Sequence, residues 1–284
     1  MEAGIIILIA ALTVVVLWGA ARFVAARQDN VGTDVSRMVQ RYVDGEGRAF
    51  YRISAGIAND YLLPCEDGYL LVDTGYPEDY PKFKAALAAA GLEYRSIRYL
   101  FLTHAHDDHV GFAADLMKET GCRIFAPRES LGDLSAGRMT WSGYAVTRRI
   151  AAASFLYDLV KRRTLRFPPV ALGDGDRALS EGDADLPRDI GLEGVFLATP
   201  GHSGDSWTLL MDDGRAFCGD AAMNYLRSLG ADYRPIFLSD GAAARKSVQT
   251  LLDRGASMFY TGHGLPFGAE TMRGALERHP SWVR

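Results

Sequence analysis

Cysteine is scarce in this chain of 284 residues, which contains three: Cys65, Cys122 and Cys218. An odd number at irregular spacing does not indicate a disulfide framework, and it fits a reducing compartment. An excess of basic residues is also missing, because the formal net charge is −4 at pH 7. Nucleic-acid backbones attract proteins with a basic footprint, so we expect no nucleic-acid partner.

Charged residues are absent from residues 3–21, a stretch that is rich in Ile, Leu, Val and Ala and long enough to span a bilayer. Glu2 precedes this stretch, whereas Arg22 and Arg27 follow it. That order is opposite to the charge order of an export signal, and it places the following chain in the cytoplasm. The sequence therefore predicts a single-pass membrane protein with one transmembrane helix; a cleaved or differently oriented segment is the alternative.

The predicted domain limits follow from this membrane assignment. Residues 1–27 form the anchor and its flank, residues 28–45 form a linker, and residues 46–284 form one domain. The hydrophobic content of 48% is ample for a core. Strand patterns alternate with helix patterns, of which 80–90 and 242–252 are predicted helices, and this alternation indicates an α/β fold.

Histidine is scarce as well, yet five of the six histidines fall into three small clusters. The densest cluster, Thr103-His104-Ala105-His106-Asp107-Asp108-His109, lies between a strand pattern at 96–102 and a helix-like segment from Val110. Imidazole nitrogens and carboxylate oxygens are ligands that zinc and similar divalent metals prefer. The spacing therefore predicts a turn that serves two metals; a surface loop rich in histidine and aspartate is the alternative.

Three more polar residues stand where predicted buried strands end. His202, Asp220 and His263 each follow a short apolar run. Each alone reads as an ordinary loop residue, but we expect the strand ends to converge on one edge of the fold. Together with the first cluster, these residues predict one metal centre.

These motifs resemble, in the same order, those of the metallo-β-lactamase-fold hydrolase superfamily, whose signature Thr-His-x-His-x-Asp-His appears here as residues 103–109. The resemblance covers roughly residues 50–270 and favours the glyoxalase II-like branch. It implies an αββα sandwich, in which two sheets pack face to face with helices outside. Asp73 resembles an early aspartate of the superfamily that supports the metal-binding loops from behind the ligands; a simple turn aspartate is the alternative.

The resemblance also implies which residues bind metal. One ion would take His104, His106 and His202. The second would take Asp108, His109 and His263, and Asp220 would bridge the two ions. Two zinc ions are expected, with iron or manganese as alternatives for the same nitrogen and oxygen ligands.

Hydrolysis is the chemistry that such a centre implies. A water between two metals loses a proton near neutral pH, and the resulting hydroxide attacks an electrophilic carbonyl or phosphorus. Asp108 is expected to assist proton transfer, which makes it the candidate catalytic residue. Asn224 and Tyr225, shortly after Asp220, are possible substrate contacts; ordinary loop packing is the alternative for both.

A small-molecule thioester or lactone is the favoured substrate, because thioesterases and lactonases of the superfamily share this ligand set. Tyr225 lies five residues beyond Asp220, however, which is farther than in the lactonase pattern. Asp220 counts against a subset of true β-lactamases that lack it, and His106 counts against the flavodiiron branch, which has glutamate there. Hydrolysis of a phosphodiester in a nucleotide or lipid is the alternative reaction.

A function of another class is a membrane-tethered binding protein that keeps metal for structural reasons. Structural zinc sites are closed cages of four ligands, whereas the intact ligand set here leaves room for water and substrate. The sequence therefore favours the hydrolase.

Residues 128–189 contain no candidate ligand and are predicted to form an insert that shapes the substrate pocket. Basic residues stand beside apolar ones there, which indicates an amphipathic helix or helix pair. Three interpretations stay open for this surface: a solvated face, a membrane-facing surface, or a funnel for anionic substrates.

Overall fold

Two β-sheets lie face to face in the computed structural model, which describes residues 34–140, 142–161 and 165–283. The strands are β1 Val39–Val43, β2 Ala49–Ile53, β3 Asp60–Cys65, β4 Gly68–Val72, β5 Ile97–Phe101, β6 Arg123–Pro127, β7 Tyr144–Ala145, β8 Arg177–Leu179, β9 Gly194–Ala198, β10 Trp207–Met211, β11 Arg215–Gly219, β12 Phe237–Leu238, β13 Met258–Thr261 and β14 Phe267–Gly268. The first sheet has the order β1-β2-β3-β4-β5-β6-β8 and the second has the order β14-β13-β11-β10-β9. Strands β7 and β12 form a separate antiparallel pair.

The α-helices of the described residues join these strands. They are α1 Tyr80–Ala89, α2 Asp107–Val110, α3 Ala113–Thr120, α4 Leu131–Ala136, α5 Arg148–Lys161, α6 Gly241–Asp253 and α7 Ala269–Arg278. Helices α1 and α6 confirm the two helices predicted from the sequence. Helix α5 confirms that the basic part of the insert contains a helix.

Successive side chains along each strand point to opposite faces of its sheet and pack into two separate cores. In β4, Leu70 and Val72 belong to the core between the sheets, whereas Leu71 belongs to the core on the opposite face. Phe101 of β5 contacts Phe196 of β9 across the sheets, with ring centroids 4.5 Å apart. Helices α1 and α3 cover the outer face of the first sheet, and α6 and α7 cover that of the second. The predicted αββα sandwich is therefore confirmed.

Parallel strand pairs place the metal-binding motifs at one edge of the sandwich. Strands β4 and β5 are parallel neighbours, as are β11 and β13. Because the carboxyl ends of parallel neighbours lie at the same edge, Asp73 lies near Thr103, and Asp220 lies near His263. The backbone N–H of Trp207 donates to the carbonyl of Thr103 at 2.8 Å, which ties the two edges together.

The predicted linker over residues 28–45 is wrong for residues 39–43, which form strand β1. Strand β1, within that segment, pairs with β2 and forms one end of the seven-stranded sheet. Its side chains are exposed or half-buried, so the strand lacks the apolar alternation that marks a strand in a sequence. The domain therefore begins before residue 46.

The predicted insert over residues 128–189 contributes to the fold as well as to its surface. Strand β8 pairs with β6 at the end of the first sheet, and β7 pairs with β12. Ile150 of α5 is fully buried against Ala145 and Ala231. Part of this segment therefore belongs to the sandwich.

The predicted transmembrane anchor, residues 1–27, lies outside the described residues. Within the described ranges, no helix has both the length and the apolar character needed to cross a bilayer.

Candidate metal centre

The structure brings all seven predicted ligands together in two groups, and within each group the ligand atoms lie within 4.8 Å of one another. The first group is His104, His106, His202 and Asp220, and the second is Asp108, His109 and His263. All seven side chains are buried, and His106 and Asp108, with exposures of 8% and 6%, are the most open. The centre is therefore most accessible to solvent beside these two residues.

Hydrogen bonds behind the imidazoles orient the first group. Nδ1 of His202 donates to the carbonyl of Phe237 at 2.9 Å, and Nδ1 of His104 lies 2.9 Å from Oγ1 of Thr103. Nε2 of His202 lies 3.0 Å from Nδ1 of His106. The atoms that converge are therefore Nε2 of His104, Nε2 of His202 and Nδ1 of His106.

The second group is oriented in the same way. Nδ1 of His109 lies 2.9 Å from Oδ2 of Asp73, and Nδ1 of His263 donates to the carbonyl of Ile57 at 3.1 Å. Nε2 of His263 then faces Asp108, whose Oδ2 lies 3.3 Å away. Since each Nδ1 has a partner outside the centre, Nε2 is the atom that His109 and His263 present to it.

Asp220 lies between the two groups. Its Oδ2 is 3.4 Å from Nε2 of His202 and 3.5 Å from Nε2 of His263. Its Oδ1 is 3.5 Å from Nε2 of His109. A carboxylate in this position can reach an ion in either group, as the predicted bridging role requires.

Unsatisfied polar atoms show that the residues fit a metal. Nε2 of His104, Nε2 of His109 and Oδ1 of Asp220 are buried and make no hydrogen bond within the described part of the chain. A buried polar atom without a partner is costly, and a metal ion satisfies imidazole and carboxylate ligands at once. The donor set therefore implies divalent metal ions.

The pKa shifts in this centre have opposite signs in its two halves. Burial lowers the pKa of His104 to about 3, and the neighbouring His109 adds to the effect. Burial also acts to lower the pKa of His263, but Asp220 and Asp108 outweigh it and raise that pKa to about 10. Burial acts to raise the pKa of Asp220, whereas His263 and His109 bring it well below its usual range. The negative charge of Asp220 thus favours positive charge on the neighbouring His263.

A profile of the metallo-beta-lactamase superfamily matches residues 53–263, which include every ligand of both groups. The chain belongs to the metallo-beta-lactamase superfamily. Membership and the two groups of histidines and aspartates together support a metal-dependent hydrolase.

Relatives within the superfamily share moderate identity with this chain. The probable metallo-hydrolase YflN of Bacillus subtilis is 24% identical over 81% of this chain and 89% of its own length. A hydroxyacylglutathione hydrolase of Rhodopseudomonas palustris is 28% identical over 55% of this chain, and the match spans 48% of that enzyme. The crystal structure of BJP-1, a subclass B3 metallo-beta-lactamase of Bradyrhizobium japonicum, superposes with a TM-score of 0.55 at 24% identity over 80% of this chain and 77% of the other. The last likeness concerns the fold alone.

Asp73 lies behind the ligands, next to His109 of the second group and to Thr103, which contacts His104 of the first group. Its Oδ1 accepts from the backbone N–H of Thr103 at 2.7 Å, and its Oδ2 accepts from Oγ1 of Thr103 at 2.8 Å. Because Oγ1 of Thr103 also contacts His104, Asp73 supports His109 directly and His104 through one residue. These are the contacts expected of the predicted supporting aspartate.

Two residues that the sequence reasoning did not single out hold the ligand loops. Oδ2 of Asp205 accepts from the backbone N–H of Ala105 at 2.9 Å and from Oγ of Ser130 at 2.6 Å. Nδ2 of Asn59 donates to the carbonyls of Thr261 and Gly264 at 3.0 and 2.7 Å. Asp205 stands in the polar turn after His202, but no local pattern marks either residue as a support.

Glycines allow the two sheets to approach at the centre. A Cβ on Gly262 would lie 2.5 Å from both Oδ1 of Asp220 and Cε1 of His109. Gly219 has a φ of +48°, and a Cβ there would lie 2.3 Å from Oγ1 of Thr103. Any side chain at Gly262 would therefore displace ligands of the metal centre.

The two predicted substrate contacts lie at the rim of the second group. Nδ2 of Asn224 donates to the carbonyl of Leu265 at 3.0 Å, so this nitrogen supports the loop after His263. The ring of Tyr225 packs beside His263, with centroids 5.4 Å apart. Contact of either residue with substrate stays a prediction.

Replacing Asp73 by asparagine is expected to weaken zinc binding by about 10- to 100-fold, as loss of a support behind ligands does. Asparagine tolerates the φ of +60° at this position, so the change tests the charge and its hydrogen bonds. Competition with a chromophoric chelator measures the affinity. Asp253→Asn, which alters an exposed aspartate on α6, is the control, and equal affinities for the two variants would contradict the role of Asp73.

Gly262→Ala is expected to remove at least one metal per chain, because the added Cβ overlaps Asp220 and His109. Gly45→Ala is the matched control, since a Cβ at Gly45 meets nothing within 4 Å. Elemental analysis of the purified proteins measures the metal content. Full metal content in Gly262→Ala would show that the ligands do not pack as described.

Proposed function

We propose that this metallo-hydrolase uses two zinc ions to cleave an ester-type bond, a thioester or a lactone, in a small molecule. The observation that carries the proposal is the position of Asp220, whose carboxylate lies within 3.5 Å of histidines from both groups. A shared carboxylate offsets the charge of two neighbouring cations. The proposed pair of ions therefore has both its ligands and its counter-charge.

The relatives support the thioester in particular. Several of them are named hydroxyacylglutathione hydrolases, and an acyl-glutathione is a thioester. The superfamily match covers the residues that would act on such a bond. The match spans about half the length of the Rhodopseudomonas relative compared above. Segments of that enzyme that bind substrate outside the match can therefore differ from this chain.

Bound divalent metals would supply a nucleophilic water at neutral pH and positive charge for the substrate oxygen. The residues of the chain hold this chemistry in place. The partners behind His104, His109, His202 and His263 fix each ring so that one nitrogen faces the centre. Burial of these rings excludes bulk water, which strengthens electrostatic interactions within the centre.

Asp108 is the residue that we propose moves a proton during the reaction. Its Oδ2 lies 3.3 Å from Nε2 of His263, and its side chain is among the most open of the seven. A carboxylate beside the metals would accept a proton from the attacking water and deliver it to the leaving group. Asp108 thus combines a ligand position with contact to solvent.

Asp108→Asn is expected to lower kcat/KM by at least about 100-fold, the usual loss when a general acid-base group is removed. Asp115→Asn, on the exposed side of α3, should leave the rate unchanged. The assay compares thioester, lactone, phosphodiester and β-lactam substrates on protein whose zinc, iron and manganese have been quantified. Turnover confined to phosphodiesters would replace the proposed bond, and bound metal without any turnover would favour a binding protein.

We propose in addition that residues 3–21 anchor the protein in a membrane, with the hydrolase domain on the cytoplasmic side. The uncharged stretch and the arginines Arg22 and Arg27 support this assignment.

The full chain is expected to sediment with membranes and to resist extraction by alkaline carbonate, because a spanning helix leaves the bilayer only in detergent. A variant that lacks residues 1–30 should appear in the supernatant. Protease added outside intact cells should leave the domain uncut. Release of the full chain by carbonate would contradict the anchor. Cleavage of the domain by protease added outside the cells would show the opposite orientation.

A further inference from the structure

One loop contacts ligands of both groups. Residues 221–237, here called the bracing loop, run from Asp220 to Phe237, the first residue of strand β12. The backbone N–H of Asn224 donates to the carbonyl of His263 at 3.1 Å, and the carbonyl of Phe237 accepts from Nδ1 of His202 at 2.9 Å. The conformation of the bracing loop therefore helps to orient one histidine of each group.

The bracing loop adopts a backbone conformation that its own residues disfavour. Leu226, Asp232 and Tyr233 have φ values of +47°, +48° and +66°. Residues with side chains rarely adopt this left-handed region, and bulky ones such as leucine and tyrosine do so least readily. Such a conformation persists only where surrounding contacts impose it.

The end of helix α7 supplies such contacts at Asp232. Nε of Arg278 donates to Oδ2 of Asp232 at 2.8 Å, and Nη2 of Arg278 donates to Oδ1 at 3.0 Å. Nε2 of His279 lies 3.0 Å from Oδ2 of the same carboxylate. The paired hydrogen bonds from Arg278 fix both the position and the plane of the Asp232 carboxylate.

The neighbouring residue carries this restraint toward the metal centre. The carbonyl of Tyr233 accepts from the backbone N–H of Met223 at 3.1 Å, and Met223 precedes Asn224. On the other side, the backbone N–H of Ile236, next to Phe237, contacts Sδ of Met223 at 3.4 Å. An unbroken series of contacts therefore runs from Asp232 to the supports of His263 and His202.

We propose that Asp232 is a positioning residue: the clamp formed with Arg278 and His279 holds the bracing loop so that His202 and His263 meet around Asp220. The proposal rests on the metal centre of the proposed function. It assigns the end of α7, a helix without any ligand, a part in metal affinity. Residues behind metal ligands commonly act in this way because they fix the orientation of the rings.

Asp232→Asn is the first test, since asparagine keeps the shape of the side chain and tolerates a positive φ. Zinc affinity of the full chain, measured against a chromophoric chelator, is expected to fall by about three- to tenfold, less than for a residue directly behind a ligand. The visible spectrum of the Co²⁺-loaded protein should also change, because it reports the geometry of the ligands. A role limited to fold stability would leave both readouts unchanged.

Asp212→Asn is the matched control, because Asp212 also accepts two hydrogen bonds from one arginine, Arg188, at 3.0 and 2.8 Å. Asp212 lies in the turn between β10 and β11, outside the bracing loop. The zinc affinity and the Co²⁺ spectrum of Asp212→Asn should match those of the unchanged protein. Equal affinities for Asp232→Asn and Asp212→Asn would overturn the proposal, even if Asp232→Asn unfolds at a lower temperature.

Arg278→Gln and His279→Gln test the clamp from its other side and keep Asp232 in place. Arg278→Gln should reproduce most of the loss of affinity, and adding it to Asp232→Asn should cost little more, since both changes remove one interaction. If Asp232→Asn does not fold, the zinc affinities of Arg278→Gln and His279→Gln test the proposal instead.

If the unchanged protein binds no zinc, iron or manganese, the proposed function fails together with this inference. If it binds metal and the clamp variants bind equally well, only this inference fails.

Discussion

The carboxylate of Asp73 is the point on which the metal centre depends. It accepts two hydrogen bonds from Thr103 and contacts Nδ1 of His109, so it joins the end of β4 to the signature turn after β5. A metal-binding imidazole almost always donates its other N–H to a partner that fixes the orientation of the ring. Asp73 is such a partner for His109, and it acts on His104 through Thr103. The left-handed conformation of Asp73 places its carboxylate at this junction.

The sandwich supplies the rigidity that such a centre needs. Ligands come from loops of both sheets, so their separation is set by the aromatic core between the sheets, which includes Phe101, Phe196 and Phe217. Cores of this kind are close-packed and resist deformation. Small errors in ligand position weaken metal binding and catalysis steeply, so the core contributes to function as well as to stability.

The buried ionisable groups of the centre also affect the stability of the fold. Seven ionisable side chains are buried together, and several of their polar atoms make no hydrogen bond within the described residues. Burying such groups opposes folding unless a ligand compensates them. Metal binding is therefore expected to contribute to stability as well as to chemistry, as in other proteins whose metal sites form only in the folded state.

The types of the ligands and their order were determined by the sequence alone, because metals select imidazole and carboxylate groups and because the spacing within residues 103–109 is a local property of one turn. The helices α1 and α6 and the αββα fold were predictable for similar reasons, from apolar periodicity and from the resemblance that the motifs carry. Strand β1 was not predictable, because its exposed side chains lack that periodicity. Only the tertiary structure decided which nitrogen each histidine presents, that Asp205 and Asn59 support the ligand loops, and that Gly262 must lack a side chain. Each of these depends on residues far apart in the chain, and their distances are set by the packing of two sheets rather than by any local pattern.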